Sequence, residues 1–427
     1  MARTSQFPPS VDPGVPKEWP TPPGWCRARY RDLVEVVERP VELCDDTEYQ
    51  LVIAKRNRGG IVAREKALGR AIRVKNQYRI EAGDFLISAR QIIHGACGVV
   101  PANLAGAIVS NEYVVLRPRG ALDTEYLRQL SYTPYFQRTC FHSSVGVDVE
   151  KMVFKVERWL DYCVSIPSVD EQLRIAATLR GVDESIIANS EYMQALRDAM
   201  HALIADLTTR GPPSRRAPTK ATPLGDVPSH WRMATLGGIS RSSSGSTPSR
   251  RCHAFFTRGG GYPWVKTLDL NDGLVVTTDE QVTELGLRSI SCRMLSPGAV
   301  LVAMYGGFGQ IGRTGILKMP AVTNQAICAL TLAGDDVDPR FVNVWLMANR
   351  WRWKSIAASS RKDPNITRRD VEAFPIAIPP LEEQLEIVAA WEACSQLGAA
   401  AGHSASALRL LREALSRQLL GNAKAIE

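Results

Sequence analysis

The sequence has no apolar run close to the ~20 residues that a membrane-spanning helix needs. Its opening, MARTSQFPPSVDPGVPKEWPTPPGW, is Pro-rich and polar where a secretory leader carries an apolar stretch. A cytoplasmic protein is the expectation. Paired cysteines are lacking too: Cys26, Cys44, Cys97, Cys140, Cys163, Cys252, Cys292, Cys328 and Cys394 are odd in number and scattered, with no C-x-x-C. That pattern predicts free, mostly buried thiols rather than a disulfide framework. Cys140 with His142, and Cys252 with His253, come nearest to a metal site, but structural zinc requires four ligands in paired spacing, so no metal is expected. There is no Walker A segment, no Glu-x-Lys pair of the magnesium-dependent nuclease kind, and no aromatic-tipped Asx-Pro-Pro phrase to grip a flipped base. His94, His142, His201, His230, His253 and His403 have no evident nucleophile or carboxylate partner in the sequence. ATPase, nuclease and base-methylating chemistry all lose their usual signatures, and a non-catalytic chain is expected.

What the chain does contain is one phrase stated twice. IPSVDEQLRIAATL begins at Ile166 and IPPLEEQLEIVAAW at Ile378, 212 residues later. The correspondence continues in register, since Ala195-Leu196-Arg197, Ala202-Leu203 and Leu207 recur as Ala407-Leu408-Arg409, Ala414-Leu415 and Leu419. It also reaches upstream: GDFLIS at Gly83 matches GAVLVA at Gly298, and VSNEYVVL at Val109 matches VTNQAICAL at Val322. A period this long is too large for a solenoid repeat, so each half is a module of its own, a globular part followed by a helix.

The helical part follows from spacing. Ile175, Leu179, Val182, Ile186, Met193, Leu196, Met200, Leu203 and Leu207 fall at steps of three and four, and Ile387, Trp391, Cys394, Leu408, Leu415 and Leu419 mark the second seam. Asn189 occupies a skipped seam position and admits two readings, a tolerated surface amide or a buried one that sets register. Gly398 and Gly402 lower helix propensity and allow either a close partner or a kink. Continuous helices over 168–210 and 381–421 would each run ~60 Å, too long to be buried within one domain, which favours an antiparallel coiled coil between them. The remaining divisions are a flexible segment at 1–23, globular domains at 24–167 and 230–380, and a Pro-rich linker at 211–229. The short strands and turns of the globular parts read as α+β rather than alternating βαβ.

Charge is distributed to match. The formal net charge is +8. Residues 168–210 carry four Arg against seven Asp and Glu, and 381–420 three Arg against five Glu, so the basic excess lies outside the helices, as in a phosphate-backbone binder. Gly307-Phe308-Gly309-Gln310-Ile311-Gly312 satisfies G-x-G-x-x-G after an apolar strand, but Gly315 and Pro320 interrupt the helix a dinucleotide site would need. A tight hairpin is the expectation. Trp264, Trp345, Trp351 and Trp353 are read as core or helix-face residues rather than as base-stacking groups.

The duplicated IPxxxEQ segments, together with Trp231, Leu236-Gly237, Ser244-Gly245-Ser246-Thr247-Pro248 and Pro263-Trp264-Val265, closely resemble the specificity subunits of type I restriction–modification enzymes. The resemblance spans nearly the whole chain and is sharpest in the second half; the first lacks the SGxTP and PWV phrases. It implies two target-recognition domains, each reading one half of a split DNA target. It also implies two helices that set the spacer and dock methyltransferase subunits, which bring S-adenosylmethionine, and motor-nuclease subunits, which bring ATP and magnesium; this chain would bind none of these cofactors. Two other readings stay open, a coiled-coil interaction scaffold without DNA specificity and a self-sufficient methylation or restriction enzyme.

DNA contact requires cations for phosphates and Arg, Gln, Asn or Ser for base edges. In the first module these are Lys55, Arg56, Asn57, Arg58, Arg90, Gln91 and His94. In the second they are Ser246, Thr247, Arg250, Arg251, Lys266, Tyr305, Gln310, Arg313, Arg361 and Lys362. The resemblance nominates Glu171, Gln172, Leu196, Leu203, Leu207, Glu383, Gln384, Leu408, Leu415 and Leu419 for the spacer and subunit docking. If the helices act as a ruler along duplex DNA, changing their length by whole turns changes the number of unread bases between the half-sites, which sequencing of the methylated motif would report.

Overall fold

The computed structural model describes residues 7–17, 21–307, 309–357 and 365–420. The chain divides into two compact units, one formed by Met1–Ser190 with Ser404–Glu427 and the other by Glu191–His403. The division does not follow chain order, because each long helix starts in one unit and finishes in the other.

In the first unit, strands β1 (Val34–Val36), β2 (Phe85–Ser88), β3 (Cys97–Val99) and β4 (Tyr113–Pro118) form an antiparallel sheet in the order β1-β4-β2-β3. The run Phe85-Leu86-Ile87 is buried on both faces. Its side chains alternate as a strand demands. Phe85 and Ile87 join Leu127, Leu130 and Phe136 of helices α1 (Thr124–Leu130) and α2 (Pro134–His142). Leu86 faces the other way, into a cluster with Val52, Ile61, Ile80 and Val115. That second cluster belongs to a five-stranded sheet ordered Pro40–Val41, Gln77–Arg79, Ile108–Ser110, Glu48–Ala54, Ile61–Leu68. The long helix α3 spans Val169–Arg210.

The second unit repeats the plan. Strands β5 (Ser240–Ser244), β6 (Leu274–Val275), β7 (Val300–Ala303), β8 (Thr314–Leu317) and β9 (Ile327–Leu332) are ordered β5-β9-β7-β8-β6. Val300 and Val302 pack with Phe341 and Leu346 of α4 (Pro339–Ala348), while Leu301 and Ala303 join Val265 and Leu270 on the opposite face. The antiparallel trio β4-β2-β3 therefore has its counterpart in β9-β7-β8, and the matched phrases GDFLIS and GAVLVA are the two central strands. The second long helix, α5, spans Leu381–Leu419.

The repeated glutamines explain how helix and globular part are joined. Gln172 is fully buried; its Nε2 donates to Ala121 O (2.8 Å) and Pro167 O (2.9 Å), and its Oε1 accepts from Asp123 N (2.9 Å). Gln384, equally buried, donates to Asp336 O (2.9 Å) and Pro379 O (2.9 Å) and accepts from Asp338 N (2.8 Å). Asp123 and Asp338 are the N-caps of α1 and α4, accepting from Tyr126 N and Arg340 N respectively. One side chain thus ties the first turn of each long helix to the cap of a domain helix. Upstream, strand Cys163–Ile166 pairs antiparallel with Cys26–Arg29, and Pro375–Ile378 with Arg232–Thr235, so the proline after each isoleucine marks a strand-to-helix switch.

Several expectations are corrected. Gln172, Gln384 and Glu383 face inward rather than towards a partner; Glu383 accepts from Trp231 Nε1 (3.0 Å) and is 2.7 Å from His230 Nε2. Along α3, Ile175, Leu179 and Leu207 are buried, but Leu203 is 37% exposed and Ile204 takes its place at 3%. Steps of three and four both fit a helix, so spacing alone could not choose between 203 and 204. Within the first unit α3 and α5 run antiparallel, with Arg412 Nε on Asp183 Oδ1 (2.7 Å) and Leu415 and Leu419 against the cluster that holds Ile175 and Leu179. Within the second, Ile204 and Leu207 share a cluster with Ile387, Val388 and Trp391. Leu196 and Leu408 are half-buried.

Asn189 is half-buried with a buried Oδ1 that has no hydrogen-bond partner among the described residues. Helix α5 continues through Gly398 and Gly402, and among the described residues no neighbouring atom lies within 4 Å of a Cβ built at either. Segment 211–229 is more than a linker: after Gly211 (φ 74°) closes α3, Thr219–Thr222 and Gly225–Pro228 pair as a hairpin whose Val227 is buried. The N-terminal residues 7–17 are anchored rather than loose, with Val11 buried. The thiols are free, but only Cys97, Cys140 and Cys328 are buried, while Cys26 and Cys44 are exposed. Burial pushes Cys97 up to about 11 and Cys328 to about 12, which keeps both protonated and unreactive at neutral pH.

Gln384→Ala strands two carbonyls and the Asp338 N–H in a buried site and is expected to destabilise the second unit by about 3 kcal/mol. Glu382→Ala, on the same turn but with its carboxylate exposed, is expected to stay within about 0.5 kcal/mol in the same urea titration.

Candidate nucleic-acid interface

In the first unit the sequence-nominated residues collect on two adjacent turns. One is the connection 55–60 between strands Glu48–Ala54 and Ile61–Leu68, where Asn57 and Arg58 adopt left-handed φ of 56° and 58°. The other is the β2–β3 hairpin, residues 89–96, turned by the short helix Ile92–His94 and by Gly95 (φ 78°). The first rests on the second through Asn57 N to His94 O (2.7 Å) and Arg58 N to Gly95 O (2.9 Å). Lys55, Arg56 and Asn57 are exposed. Arg56 bridges outward groups, donating to Gln91 Oε1 (2.7 Å) and Glu150 Oε2 (2.8 Å). Arg90 donates to Glu112 Oε1 (2.6 Å) and keeps about half its side chain in solvent.

Arg58 and His94 turn inward instead. The Arg58 guanidinium donates to Ser131 O (2.9 Å) and Gln137 Oε1 (2.9 Å), and burial lowers its pKa from the usual value. His94 is 1% exposed, lies 2.8 Å from Ser10 Oγ through Nδ1, and is held below the ordinary imidazole range first by burial and then by the Arg56 charge. Both belong to the support of the surface and leave Lys55, Arg56, Asn57, Arg90 and Gln91 as its face.

The second unit presents the equivalent hairpin, β7–β8, as residues 304–313. Gly306, Gly307 and Gly312 have φ of 114°, 77° and 75°, and Ile311 N closes on Gly307 O (3.0 Å). A Cβ on Gly312 would lie 2.2 Å from the Trp353 ring, so this glycine answers both a backbone and a packing constraint. The strands flanking it are antiparallel, so G-x-G-x-x-G here is a hairpin and not a phosphate-binding helix start. Tyr305 is 44% exposed. Arg313 Nε donates to Gly309 O (3.2 Å), and Gln310 Oε1 is buried with no hydrogen-bond partner among the described residues. Arg90 and Tyr305 open matching hairpins, in keeping with the match of GDFLIS with GAVLVA.

Around the SGSTP phrase, Ser246 N donates to Thr323 O (2.9 Å) and Thr247 Oγ1 to Gln325 Oε1. Arg250 makes a bidentate pair with Glu280 (2.7 and 3.0 Å) and stacks its guanidinium over Phe256 and Trp264, 4.3 and 4.8 Å from the ring centroids. Lys266 Nζ reaches Asp279 (3.1 Å) and Glu280 (3.3 Å). Arg251 is exposed and has no ion pair or hydrogen bond among the described residues. Beside this group, a surface hollow of about 330 Å³ is lined by His253, Phe256, Thr257, Arg258, Asp279 and Glu280. The sequence reading missed His253 and Arg258 because nothing in their spacing ties them to Arg250; only the strand pairing of Phe256–Thr257 with Gln281–Val282 does. Arg361 and Lys362 lie outside the described residues. Trp264, Trp345 and Trp353 are core, whereas Trp351 is 63% exposed under the Arg352 guanidinium (4.5 Å).

Among the described residues, no three His, Cys, Asp or Glu side chains converge to hold a metal, and no helix is long and apolar enough to cross a membrane.

Each unit thus presents a sheet hairpin with polar and cationic residues and a long helix tied by a buried glutamine. Residues 228–396 match the type I restriction modification DNA specificity domain. The chain is 23% identical over 163 residues to the EcoR124I/EcoR124II specificity subunit of Escherichia coli, covering 37% of this chain and 39% of that one. It is 22% identical over 246 residues to the putative MjaX specificity subunit of Methanocaldococcus jannaschii, covering 55% and 52%. It thus spans about half the length, or less, of these relatives. A chain from a solved structure concerned with assembly and conformational transition of a type I restriction–modification system matches 94% of this chain and 99% of its own, with TM-score 0.61 and 19% identity, a likeness of fold. Residues 228–396 thus carry a type I restriction modification DNA specificity domain, and the chain is similar to specificity subunits of type I restriction enzymes.

The Arg250 guanidinium holds the Glu280 carboxyl below the usual carboxylate range. A depressed carboxylate contributes stability above its unfolded value of about 4.3 and loses it as pH falls through the folded value. Arg250→Ala is therefore expected to cost about 1 kcal/mol at pH 7, after discounting for the half-exposed guanidinium, and much less at pH 3. Urea midpoints at the two pH values check this, with Arg251→Ala expected to be neutral at both.

Proposed function

We propose that this chain is the DNA-specificity component of a type I restriction–modification system, reading one half of a split duplex target with each unit. The observation that carries the reading is the duplicated design: the same antiparallel trio, the same hairpin with polar and cationic residues, and the same glutamine-locked helix occur twice in one chain. Phosphate contact falls to exposed cations such as Lys55, Arg56, Arg90 and Arg251, and base-edge contact to Asn57, Gln91 and Tyr305 and their neighbours. Arg250, stacked on Phe256 and Trp264 as well as paired with Glu280, and Lys266, with 21% of its side chain exposed, serve mainly to shape the second surface.

The chain itself is non-catalytic in this reading. It binds double-stranded DNA in the cytoplasm and docks methyltransferase subunits, which supply S-adenosylmethionine, and through them motor-nuclease subunits, which supply ATP and magnesium. Docking falls to helix positions that face solvent. Val169 and Leu173 on α3, and their counterparts 212 residues on, Leu381 and Leu385 of α5, are 40–49% exposed. Two copies of one apolar pair suit two copies of one partner.

Methylome sequencing of host DNA with the gene intact and deleted tests the reading. One bipartite methylated motif is expected to disappear on deletion and to return with the intact gene. An unchanged methylome, with the partner methyltransferase expressed and active, would count against it. Arg251→Ala is expected to weaken binding evenly across sequences and to reduce the slope of log affinity against log salt by about one.

A further inference from the structure

We infer that the N-terminal segment 7–14 is a working part of the first recognition surface, with Ser10 as a residue that positions the turn 55–60 for DNA. The inference rests on the proposed DNA-reading role and adds to it a segment and a residue that lie outside the hairpins.

Ser10 contacts both supports of the two stacked turns. Its hydroxyl lies 2.8 Å from Nδ1 of His94, the residue whose carbonyl receives Asn57 N. Its carbonyl accepts from Gln137 Nε2 (2.6 Å), and Gln137 Oε1 in turn receives Arg58 Nη2 (2.9 Å). On the far side, His94 Nε2 stands 3.4 Å from Glu150 Oε1, and Glu150 Oε2 accepts from Arg56, which also holds Gln91. The polar groups therefore run in sequence as Arg58, Gln137, Ser10, His94, Glu150, Arg56 and Gln91, around a turn whose two central residues, Asn57 and Arg58, are left-handed.

A left-handed Asn or Arg costs backbone energy and is maintained when its surroundings over-determine it. Here the surroundings are supplied partly by the segment. It is fixed independently of Ser10: Phe7 meets the Phe141 ring edge-on at 5.8 Å, Val11 is buried, Asp12 accepts from Arg138 (2.9 Å), and His142 Nε2 is 3.1 Å from Gly14 O. Ser10 sits between these anchors and so presents its hydroxyl and carbonyl to the turn from a rigid base. The charged and amide groups of the surface, Lys55, Arg56 and Asn57, lie directly on the element it braces.

The second unit offers a control, because its recognition hairpin is braced instead by Gly312 against Trp353. A loss at Ser10 should therefore touch one half-site and spare the other.

The test uses the full chain with Ser10→Ala, Ser10→Thr, Gln137→Leu and deletion of residues 2–14. By hydrogen exchange, Ser10→Ala and Gln137→Leu are expected to speed exchange of residues 55–60 and 91–96 about fivefold, the scale of one lost hydrogen bond, without speeding exchange in 191–403. In cells carrying each variant, the methylated motif is expected to accept extra bases in one half only, with Ser10→Thr restoring it and the deletion relaxing it further. Unchanged exchange at 55–60, or methylation that falls with the motif intact in both halves, would overturn the inference. A wild-type chain that supports no bipartite motif would instead sink the proposed function, and the exchange result would still decide whether Ser10 holds the turn. If the deletion variant fails to fold, the two point variants carry the test.

Discussion

Two buried glutamine amides, Gln172 and Gln384, join each long helix to the globular fold that precedes it. Each satisfies one carbonyl at the switch from strand to helix, and one carbonyl and one N–H in the loop that leads into the neighbouring domain helix. A glutamine is suited to this task because its amide both donates twice and accepts. The N–H it accepts from belongs to the residue that caps the neighbouring helix, so helix direction and domain core are fixed by one side chain. The hairpins that carry the candidate DNA contacts hang from the central strands of that core. Their placement relative to the helix therefore traces back to these amides.

Duplication has been held at the level of topology while the surfaces diverged. The trio β4-β2-β3 and its partner β9-β7-β8 share register and burial, yet the hairpins they support are built differently. One is turned by a short helix and Gly95, the other by Gly306, Gly307 and Gly312. In both copies, core residues answer to packing. Loop residues carry no such shared constraint and are free to part.

The recognition surfaces also show how charge is divided between structure and contact. Arg58, Arg250 and Lys266 looked from the sequence like phosphate or base ligands, but their partners are Gln137, Glu280 and Asp279. Arg58 turns inward, while Arg250, half exposed, stays at the surface as a shaping group over Trp264. Such residues set the shape of the basic surface, as Arg56 does through Gln91 and Glu150, whereas Arg251 has no ion pair or hydrogen bond among the described residues. A count of cations in a loop does not separate these roles, because the partner that claims a guanidinium can lie 30 or 79 residues away.

The sequence by itself determined the duplication, the two long helices and their bounds to within a residue or two, and the hairpin nature of the Gly307–Gly312 stretch. These rest on local chemistry: apolar periodicity, proline and glycine as stops, and strand-length apolar runs all act between near neighbours in the chain. Tertiary structure alone decided that Gln172, Gln384 and Glu383 point inward, that Ile204 and not Leu203 fills the seam, and that the Pro-rich segments at 7–17 and 211–229 pack rather than hang free. It also decided which cations are engaged by partners within the fold. Each of these depends on which distant group arrives within hydrogen-bond or van der Waals reach, a matter of spatial proximity that residue spacing does not encode.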